Sequence, residues 1–296
     1  MKLKMKLLAA AVALASANGA FAAIGASGTG NGELFLSVYD ASKSISYVRD
    51  LGITMDSFLS GGAVAPVNTS PLAFNSAATP AIGAGNVTSN AGYSLTFAAD
   101  ALLLNNLGTG GLLSSGAVWN IGAMDGTGTQ RYMTTVATGT AATTISNTDN
   151  TQLKAYKGTG DVYLGGVNLL GTQTSANGSS TAIPTDLTAY FPAGQYGANW
   201  GGKSAFSTVG NVGQSLDFYM LSTVGTGTKT KVLVSQYSNL QGAAQWNLAS
   251  NGNLTYTATA PVPEADTWAM FGVGLLAIGA AVRRSGRQPK IFKELA

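Results

Sequence analysis

The chain has 296 residues, of which only 10% are charged, and it contains 39 glycines but neither cysteine nor histidine. The absence of cysteine excludes disulfides and thiolate metal sites, and the absence of histidine removes the commonest metal ligand and every Ser-His-Asp triad. The net charge is +3 overall but −2 between Ala23 and Pro261, where eight basic and ten acidic residues lie, so nucleic-acid binding is not expected.

The first 22 residues predict a secretory signal peptide that forms a helix. Its basic start consists of three lysines: Lys2, Lys4 and Lys6. The apolar run that follows, Leu7 to Ala17, is too short to cross a hydrocarbon core of ~30 Å. Ala20 and Ala22 supply a small-x-small cleavage site, which places the start of the mature protein at Ala23. We therefore expect export through Sec-type machinery.

Residues 23–32 are glycine-rich and are interpreted as a linker, and residues 33–259 as the body. Alternation with period 2 indicates half-buried antiparallel strands in the body. The alternating apolar positions are Leu34, Leu36 and Val38; Ile45 and Tyr47; Tyr93, Leu95 and Phe97; Leu216, Phe218 and Met220; Val232 and Val234; Trp246 and Leu248; Leu254 and Tyr256. Two packed sheets would bury these strands most simply. The predicted fold class is therefore mainly β: an antiparallel, jelly-roll-like β-sandwich.

Helical and turn signals in the body are short. No stretch of ten or more body residues has a clean helical stripe, and the best candidates for helical turns are 51–59 and 98–107. The tripeptide Gly-Thr-Gly recurs with irregular spacing around Thr29, Thr109, Thr127, Thr159 and Thr226. Because glycine adopts positive φ without strain, we expect these tripeptides in turns or loops between the strands.

The last predicted hairpin allows a register to be stated. A two-residue turn at Asn251-Gly252 would separate the apolar residues of the two strands onto opposite faces. One additional loop residue places the apolar residues of both strands on the same face again. We therefore predict an odd loop over residues 251–253 with one residue at positive φ, in which Leu248 opposes Tyr256 and Trp246 opposes Ala258.

Residue types that carry chemistry are sparse. Most acidic residues lie in turn contexts, where aspartate commonly bonds its own backbone. A glycosidase would need two of them facing a cleft. Asp125 with Thr127, or Asp149 with Asn147, could contribute oxygen ligands to calcium, but no calcium-loop spacing is present. We expect no catalytic residues, no metal site and no cofactor, and therefore not an enzyme.

An aromatic cluster lies between Pro184 and Gly202. Tyr190, Tyr196 and Trp200, with Phe191, could form an exposed platform on which sugar rings stack, or they could fill the end of the fold as buried packing. Exposure separates the two interpretations, because sugar stacking requires rings that are open to solvent.

The C-terminal part combines three signals. The tetrapeptide Val262-Pro263-Glu264-Ala265 is followed by fifteen uncharged residues, Trp268 to Val282, and then by Arg283 and Arg284. As a helix the apolar run would extend ~22 Å, short of a normal membrane span. Trp268 at one interface and the two arginines at the other would compensate, with the arginines on the cytoplasmic side. Residues 285–296 would then form a basic cytoplasmic tail.

These features of residues 260–284 resemble a PEP-CTERM sorting signal. The resemblance implies a protein that is exported, transiently anchored in the inner membrane, cleaved near Val262, Pro263 and Glu264 by an exosortase and passed to the cell surface or the medium. It also implies an association with exopolysaccharide and biofilm matrix. Ala265, where the family usually has a second proline, and the twelve residues after the arginines depart from the pattern.

Two functions follow as expectations. The first is a non-catalytic component of the envelope or extracellular matrix. The second is a carbohydrate-binding or adhesive module that uses Tyr190, Tyr196 and Trp200. A glycan-cleaving enzyme is a third class, and it would require a close carboxylate pair in a cleft.

Overall fold

A computed structural model of the chain describes residues 23–60, 72–75, 93–128, 130–170, 178–192, 196–197, 199–239 and 242–258. All of these residues lie in the first of two units, Met1–Ala260 and Pro261–Ala296. The strands are β1 (Glu33–Asp40), β2 (Ile45–Thr54), β3 (Leu72–Asn75), β4 (Tyr93–Phe97), β5 (Gly108–Thr109), β6 (Leu112–Leu113), β7 (Val118–Asp125), β8 (Arg131–Ala137), β9 (Ser179–Ala182), β10 (Gly210–Asn211), β11 (Ser215–Ser222), β12 (Leu233–Gln236), β13 (Ser238–Asn239), β14 (Gly242–Ala243), β15 (Gln245–Leu248) and β16 (Leu254–Ala258). The helices are α1 (Met55–Ser60), α2 (Ala101–Leu107), α3 (Ala142–Ser146) and α4 (Asn150–Leu169).

Twelve of the described strands form one antiparallel sheet. Its main path is β4-β16-β15-β11-β8-β7-β1-β2-β9, and β10 pairs with β7. Strand β11 pairs with β8 along one edge, whereas its other edge is shared by β15 at residues 215–217 and β12 at residues 219–222. The sheet therefore divides at β11 into two arms, β15-β16-β4 and β12-β3. The predicted mainly β class with antiparallel pairing is confirmed.

An inner hydrophobic core lies on the concave face of this curled sheet. It combines apolar side chains of β1, β2 and β7 with those of β4, β15 and β16, and α1 and α2 contribute further residues. Direct contacts join β2 to β4 and to the start of α2: the Arg49 guanidinium lies 5.9 Å from the ring centroid of Phe97, and the Tyr47 hydroxyl donates at 2.7 Å to Asp100, which caps α2. The sheet is therefore curled, so that β2 and β4, which lie near opposite ends of the strand order, contribute to the same core.

Helix α4 covers part of the opposite face of the sheet, and the expectation that the body lacks a long helix is wrong. Asp149 begins the helix with a capping box, in which its side chain accepts from Gln152 N while Gln152 Oε1 accepts from Asp149 N, both at 2.9 Å. The buried stripe consists of Leu153, Tyr156, Gly160, Tyr163, Leu164 and Val167. The Gly-Thr-Gly at Thr159, expected in a turn, lies inside this helix.

The segment interpreted as a linker is packed against α4. Ile24 is buried, and its backbone N–H and C=O both bond the side-chain amide of Asn168, at 3.0 and 3.1 Å. The Ser27 hydroxyl donates to Asp161 at 2.6 Å. Gly32 contacts β7 closely, because a Cβ at this position would lie 1.9 Å from the Met124 carbonyl oxygen. Residues 23–32 are therefore part of the body's packing.

The loop of the last hairpin is odd, as predicted, but it lies one residue earlier. Leu248 pairs with Leu254, and Trp246 with Tyr256, so the predicted partners were wrong by two residues. Ala249 N donates to Asn253 O at 2.9 Å, which closes a three-residue loop over 250–252. Gly252 has the predicted positive φ, at 82°. A shift of two residues preserves the faces of a strand, so burial alone could not distinguish the two registers.

Candidate functional site

Of the predicted sorting and cleavage residues, Ala23 is among those that the structure describes, and it is exposed. The others lie outside the described residues: Ala20, Ala22, Val262, Pro263, Glu264, Trp268, Arg283 and Arg284. The expected signal-peptide helix, C-terminal membrane helix and basic tail lie outside them as well. No helix within the described ranges is long and apolar enough to cross a membrane.

The aromatic residues considered for sugar binding are buried. Tyr190 and Phe191 are 7% and 2% exposed, and Tyr196 and Trp200 are 0% and 1% exposed. The exposure criterion therefore favours packing. In this fold, Tyr190, Tyr196 and Trp200 offer no open ring surface for a sugar, which corrects the interpretation of these three residues as a sugar platform.

These rings fill the space between α4 and the sheet. Tyr196 stacks on Tyr163 of α4 with centroids 4.8 Å apart, and it contacts Phe35 of β1 at 5.6 Å. Trp200 lies 5.1 Å from the ring of Tyr156, also on α4. Burial raises the pKa of Tyr196 well above its usual value, as expected for a phenol enclosed by other rings. The loop that follows the turn at Pro184–Ala189 thus supplies the aromatic packing between helix and sheet.

Asp125 and Asp149, considered as calcium ligands, have structural partners. Asp125 accepts from Thr127 N and Oγ1 at 3.0 and 3.1 Å, and Arg131 Nη2 donates to its other oxygen at 2.6 Å. Asp149 begins α4. Across the described residues no group of three or more His, Cys, Asp or Glu side chains is placed to hold a metal ion.

A cluster of three charged side chains, Arg131, Asp56 and Asp125, joins α1 to the β7-β8 hairpin. Arg131 also donates through Nη1 to Asp56 at 2.7 Å, so one guanidinium bridges two carboxylates. The hydrogen bonds to Asp125 and Asp56, with their negative charges, raise the pKa of Arg131 above its ordinary value against the opposing effect of burial. Because Arg131 pairs with both carboxylates, we interpret the cluster as a structural contact between α1 and the hairpin, not as a general acid and base.

A second acidic site, at Asp50, was not identified from the sequence. Asp50 of β2 is nearly buried on the α4 side of the sheet, opposite Phe35. Burial raises its pKa to about 6; the Gly52 N–H, which donates to Asp50 Oδ1 at 2.7 Å, opposes the rise, and the charge of Glu33 adds to it. Nothing in the local sequence distinguishes this aspartate from a turn residue, because its burial depends on the tertiary packing.

A regular polar surface lies on the arm β4-β16-β15 and the adjoining start of β11. Alternate residues along these strands point into the inner core, so the intervening side chains point away from it. We call this set the polar face, and its seven residues are Thr96, Thr255, Thr257, Asn247, Gln245, Ser215 and Asp217.

Strand pairing aligns the polar face in two rows. Successive cross-strand partners form the first row: Thr96, Thr255, Asn247 and Ser215. Thr257, Gln245 and Asp217 form the second row. Neighbouring strands are about 4.8 Å apart and the rows about 6.8 Å apart, so hydroxyl and amide groups form a two-dimensional array.

Hydrogen bonds orient the two amides of the polar face. Gln245 Nε2 donates to Asp217 Oδ1 at 2.8 Å, and Asn247 Nδ2 donates to Gly213 O at 3.2 Å and Ser215 Oγ at 3.3 Å. Burial raises the pKa of Asp217, and the bond from Gln245 opposes that rise. Fixed amides lose little conformational entropy when they meet a ligand.

An open depression of about 390 Å³ adjoins the polar face at its β11 end. Its lining residues are Ala137, Thr138, Gln214, Ser215, Leu216 and Gln245. The volume falls within the range of small-molecule sites, about 300–1,000 Å³, but most of the lining side chains are hydroxyls and amides. The depression and the polar face share Ser215 and Gln245. Together they can exchange hydrogen bonds with a hydroxyl-rich ligand.

Models of known protein families, curated protein sequences and solved structures give no match to this chain.

Proposed function

We propose that the chain is an exported, non-catalytic component of the cell envelope or extracellular matrix that is sorted through a PEP-CTERM-like signal. One observation carries the proposal: Val262-Pro263-Glu264, the apolar run from Trp268 to Val282 and the Arg283-Arg284 pair occur in that order near the C terminus. The finer structural expectations belong to the same proposal: a signal-peptide helix, sandwich-like packing of the body and a short transmembrane helix.

The proposed route explains why the apolar run is short. A run of ~22 Å pauses in the membrane when a tryptophan and an arginine pair hold its two ends at the interfaces. An exosortase then cleaves near Pro263, and the body is passed to the cell surface or the medium, where exopolysaccharide is the expected surrounding polymer. Export through Sec-type machinery precedes these steps.

A non-catalytic body is supported by the chemistry of its side chains. Cysteine and histidine are absent from the sequence. A two-carboxylate glycosidase needs one acid and one base facing a cleft, whereas Asp56 and Asp125 are bridged by Arg131. Because Arg131 pairs with both carboxylates, Asp56 and Asp125 do not form such an acid and base pair.

The test is the intact mass of the protein recovered outside the producing cells, with and without the exosortase gene. We expect loss of residues 1–22 and of the C-terminal part beyond the Pro263 region, the latter only when the exosortase is present. Replacing Arg283 and Arg284 by glutamine should prevent normal processing. The matched control replaces Arg287 and Lys290 by glutamine and should be processed normally. Secreted protein that retains the apolar run would refute the proposal.

A further inference from the structure

We propose that the polar face, with its adjoining depression, binds a neutral polysaccharide chain. This deepens the proposed function, and it rests on that function for the place where the polymer is met. The binding surface itself consists of described residues, and it lies on a different part of the fold from the buried rings of Tyr190, Tyr196 and Trp200.

Hydrogen-bonding capacity indicates the class of ligand. Threonine and serine hydroxyls donate and accept, and the amides of Gln245 and Asn247 carry both a donor and an acceptor. Sugar hydroxyls have the same dual capacity. Among the described residues, neither amide oxygen is used in a hydrogen bond, so each amide is held by its nitrogen and presents its oxygen.

Charge indicates that the polymer is neutral. None of the seven residues of the polar face is basic, and its one ionisable group, Asp217, is 9% exposed and bonded to Gln245. An anionic polymer or a nucleic acid would find no positive charge on this surface. A neutral chain has no such requirement.

The position of apolar side chains argues against a protein partner. Protein interfaces generally depend on a central cluster of aromatic or apolar side chains. The large apolar side chains that are exposed in the described part of the chain are Leu112, Val162, Leu169, Ile183, Leu187 and Val224. None of these belongs to β4, β11, β15 or β16, so the polar face lacks such a centre.

The same surface predicts weak binding at each site. It offers hydrogen bonds without an aromatic ring for stacking, and a single hydrogen bond to a neutral group contributes modestly in water. A polymer with many equivalent repeats compensates through its repeated contacts. We therefore expect retention by long chains and little affinity for their monosaccharides.

Affinity electrophoresis of the protein recovered from the producing cells tests this inference. Native gels would contain dextran, hydroxyethyl cellulose or the anionic polymer alginate. We expect retardation in at least one of the two neutral gels and none in alginate. Retardation in alginate, or in no gel, would overturn the inference.

Variants locate the site. Asn247→Ala and Thr257→Ala should each weaken retention about three- to tenfold, the effect of losing one hydrogen bond. Asn105→Ala, which removes an exposed amide from α2, is the matched control and should bind normally. Asn247→Ala should unfold at a slightly lower midpoint, because it loses the bonds to Gly213 and Ser215, but all three variants should unfold cooperatively and be folded under the binding conditions, which excludes misfolding as the cause. Equal retention of Asn247→Ala, Thr257→Ala and the wild type would refute the assignment to the polar face.

These variants separate the inference from the proposed function. Asn247→Ala should be exported and cleaved as the wild type is, because the substitution leaves the sorting motif, the apolar run and the arginine pair unchanged. Wild-type protein that is processed normally but binds none of the polymers would refute the inference alone. Polymer binding by a protein that retains its C-terminal run would refute the sorting proposal alone.

Discussion

Gly166 of α4 lies against the backbone of Ala189: a Cβ atom on this glycine would lie 2.6 Å from the Ala189 nitrogen. The neighbouring Gly165 has open space at the corresponding position, with no atom within 4 Å. The two adjacent glycines therefore have different roles. Gly166 allows the helix to approach the turn at Pro184–Ala189, whereas Gly165 makes no such contact.

The first prediction compares these two glycines. Gly166→Ala should lower the free energy of unfolding by about 1–2 kcal/mol, because overpacking against backbone exceeds the gain in helix propensity. Gly165→Ala should raise it by about 0.5–1 kcal/mol, since only the propensity changes. Urea unfolding followed by circular dichroism measures both values. Stabilisation by both substitutions would contradict the close contact at Gly166.

The second prediction concerns the aromatic packing. Tyr196→Ala and Trp200→Ala should each lower the free energy of unfolding by about 3–5 kcal/mol, because each leaves a cavity between α4 and the sheet. Leu169→Ala on the same helix is the control, and its 86% exposed side chain should contribute little. Variants of normal stability that no longer bind a polymer would instead restore the sugar-platform interpretation.

The third prediction is a pH dependence at Asp50. A carboxyl whose pKa rises from 3.8 to about 6 on folding binds its proton more tightly in the folded state. Its contribution to stability is therefore greatest below about pH 4 and is lost as pH rises through 6, with a total cost of up to about 3 kcal/mol.

Asp50→Asn removes that titration and keeps an oxygen that can accept from Gly52. The variant should be more stable than the wild type at pH 8 and nearly equal to it at pH 4, as measured by unfolding at both values. Glu33→Gln should move the wild-type transition to lower pH, because it removes a neighbouring negative charge. A stability difference between Asp50→Asn and the wild type that does not change with pH would contradict the prediction.

The fourth prediction compares the two acids that share Arg131. Asp125→Asn should lower the free energy of unfolding by about 2 kcal/mol, because Asp125 is 4% exposed and the loss leaves a partly buried guanidinium with one fewer anion. Asp56→Asn should cost less than about 1 kcal/mol, because Asp56 is 55% exposed. Denaturation in 1 M NaCl should diminish the Asp56 effect more than the Asp125 effect. If both substitutions lowered the free energy of unfolding equally, the difference in burial between Asp125 and Asp56 would not determine the strength of their pairs with Arg131.

The alternation in β15 and β16 was predictable because one side of each strand faces the core and the other side is more exposed. Leu254 and Tyr256 of β16 are buried while Thr257 is exposed, so the period-2 pattern survives in the sequence. Strands β7 and β8 were not predicted. They lie in the middle of the sheet and are buried on both faces, which removes the alternation.

Helix α4 was missed because its buried stripe is composed of unusual residues. Tyrosines and Gly160 occupy positions where leucines would have given a clear signal. A Cβ on Gly160 would lie 2.1 Å from the Met124 sulfur, so this glycine serves close packing rather than a turn. The capping box of Asp149 and Gln152 was the local signal that could have indicated the start of the helix.

The sequence by itself determined the antiparallel β class, the absence of histidine and cysteine chemistry, and the pattern from which export and sorting are proposed, because these depend on composition and on order along the chain. Tertiary structure decided what requires distant segments to meet. It buried the rings of Tyr196 and Trp200, joined Asp56 to Asp125 through Arg131, and aligned the polar face. A single sequence does not contain those contacts explicitly, since each depends on strand register and on how the sheet curls.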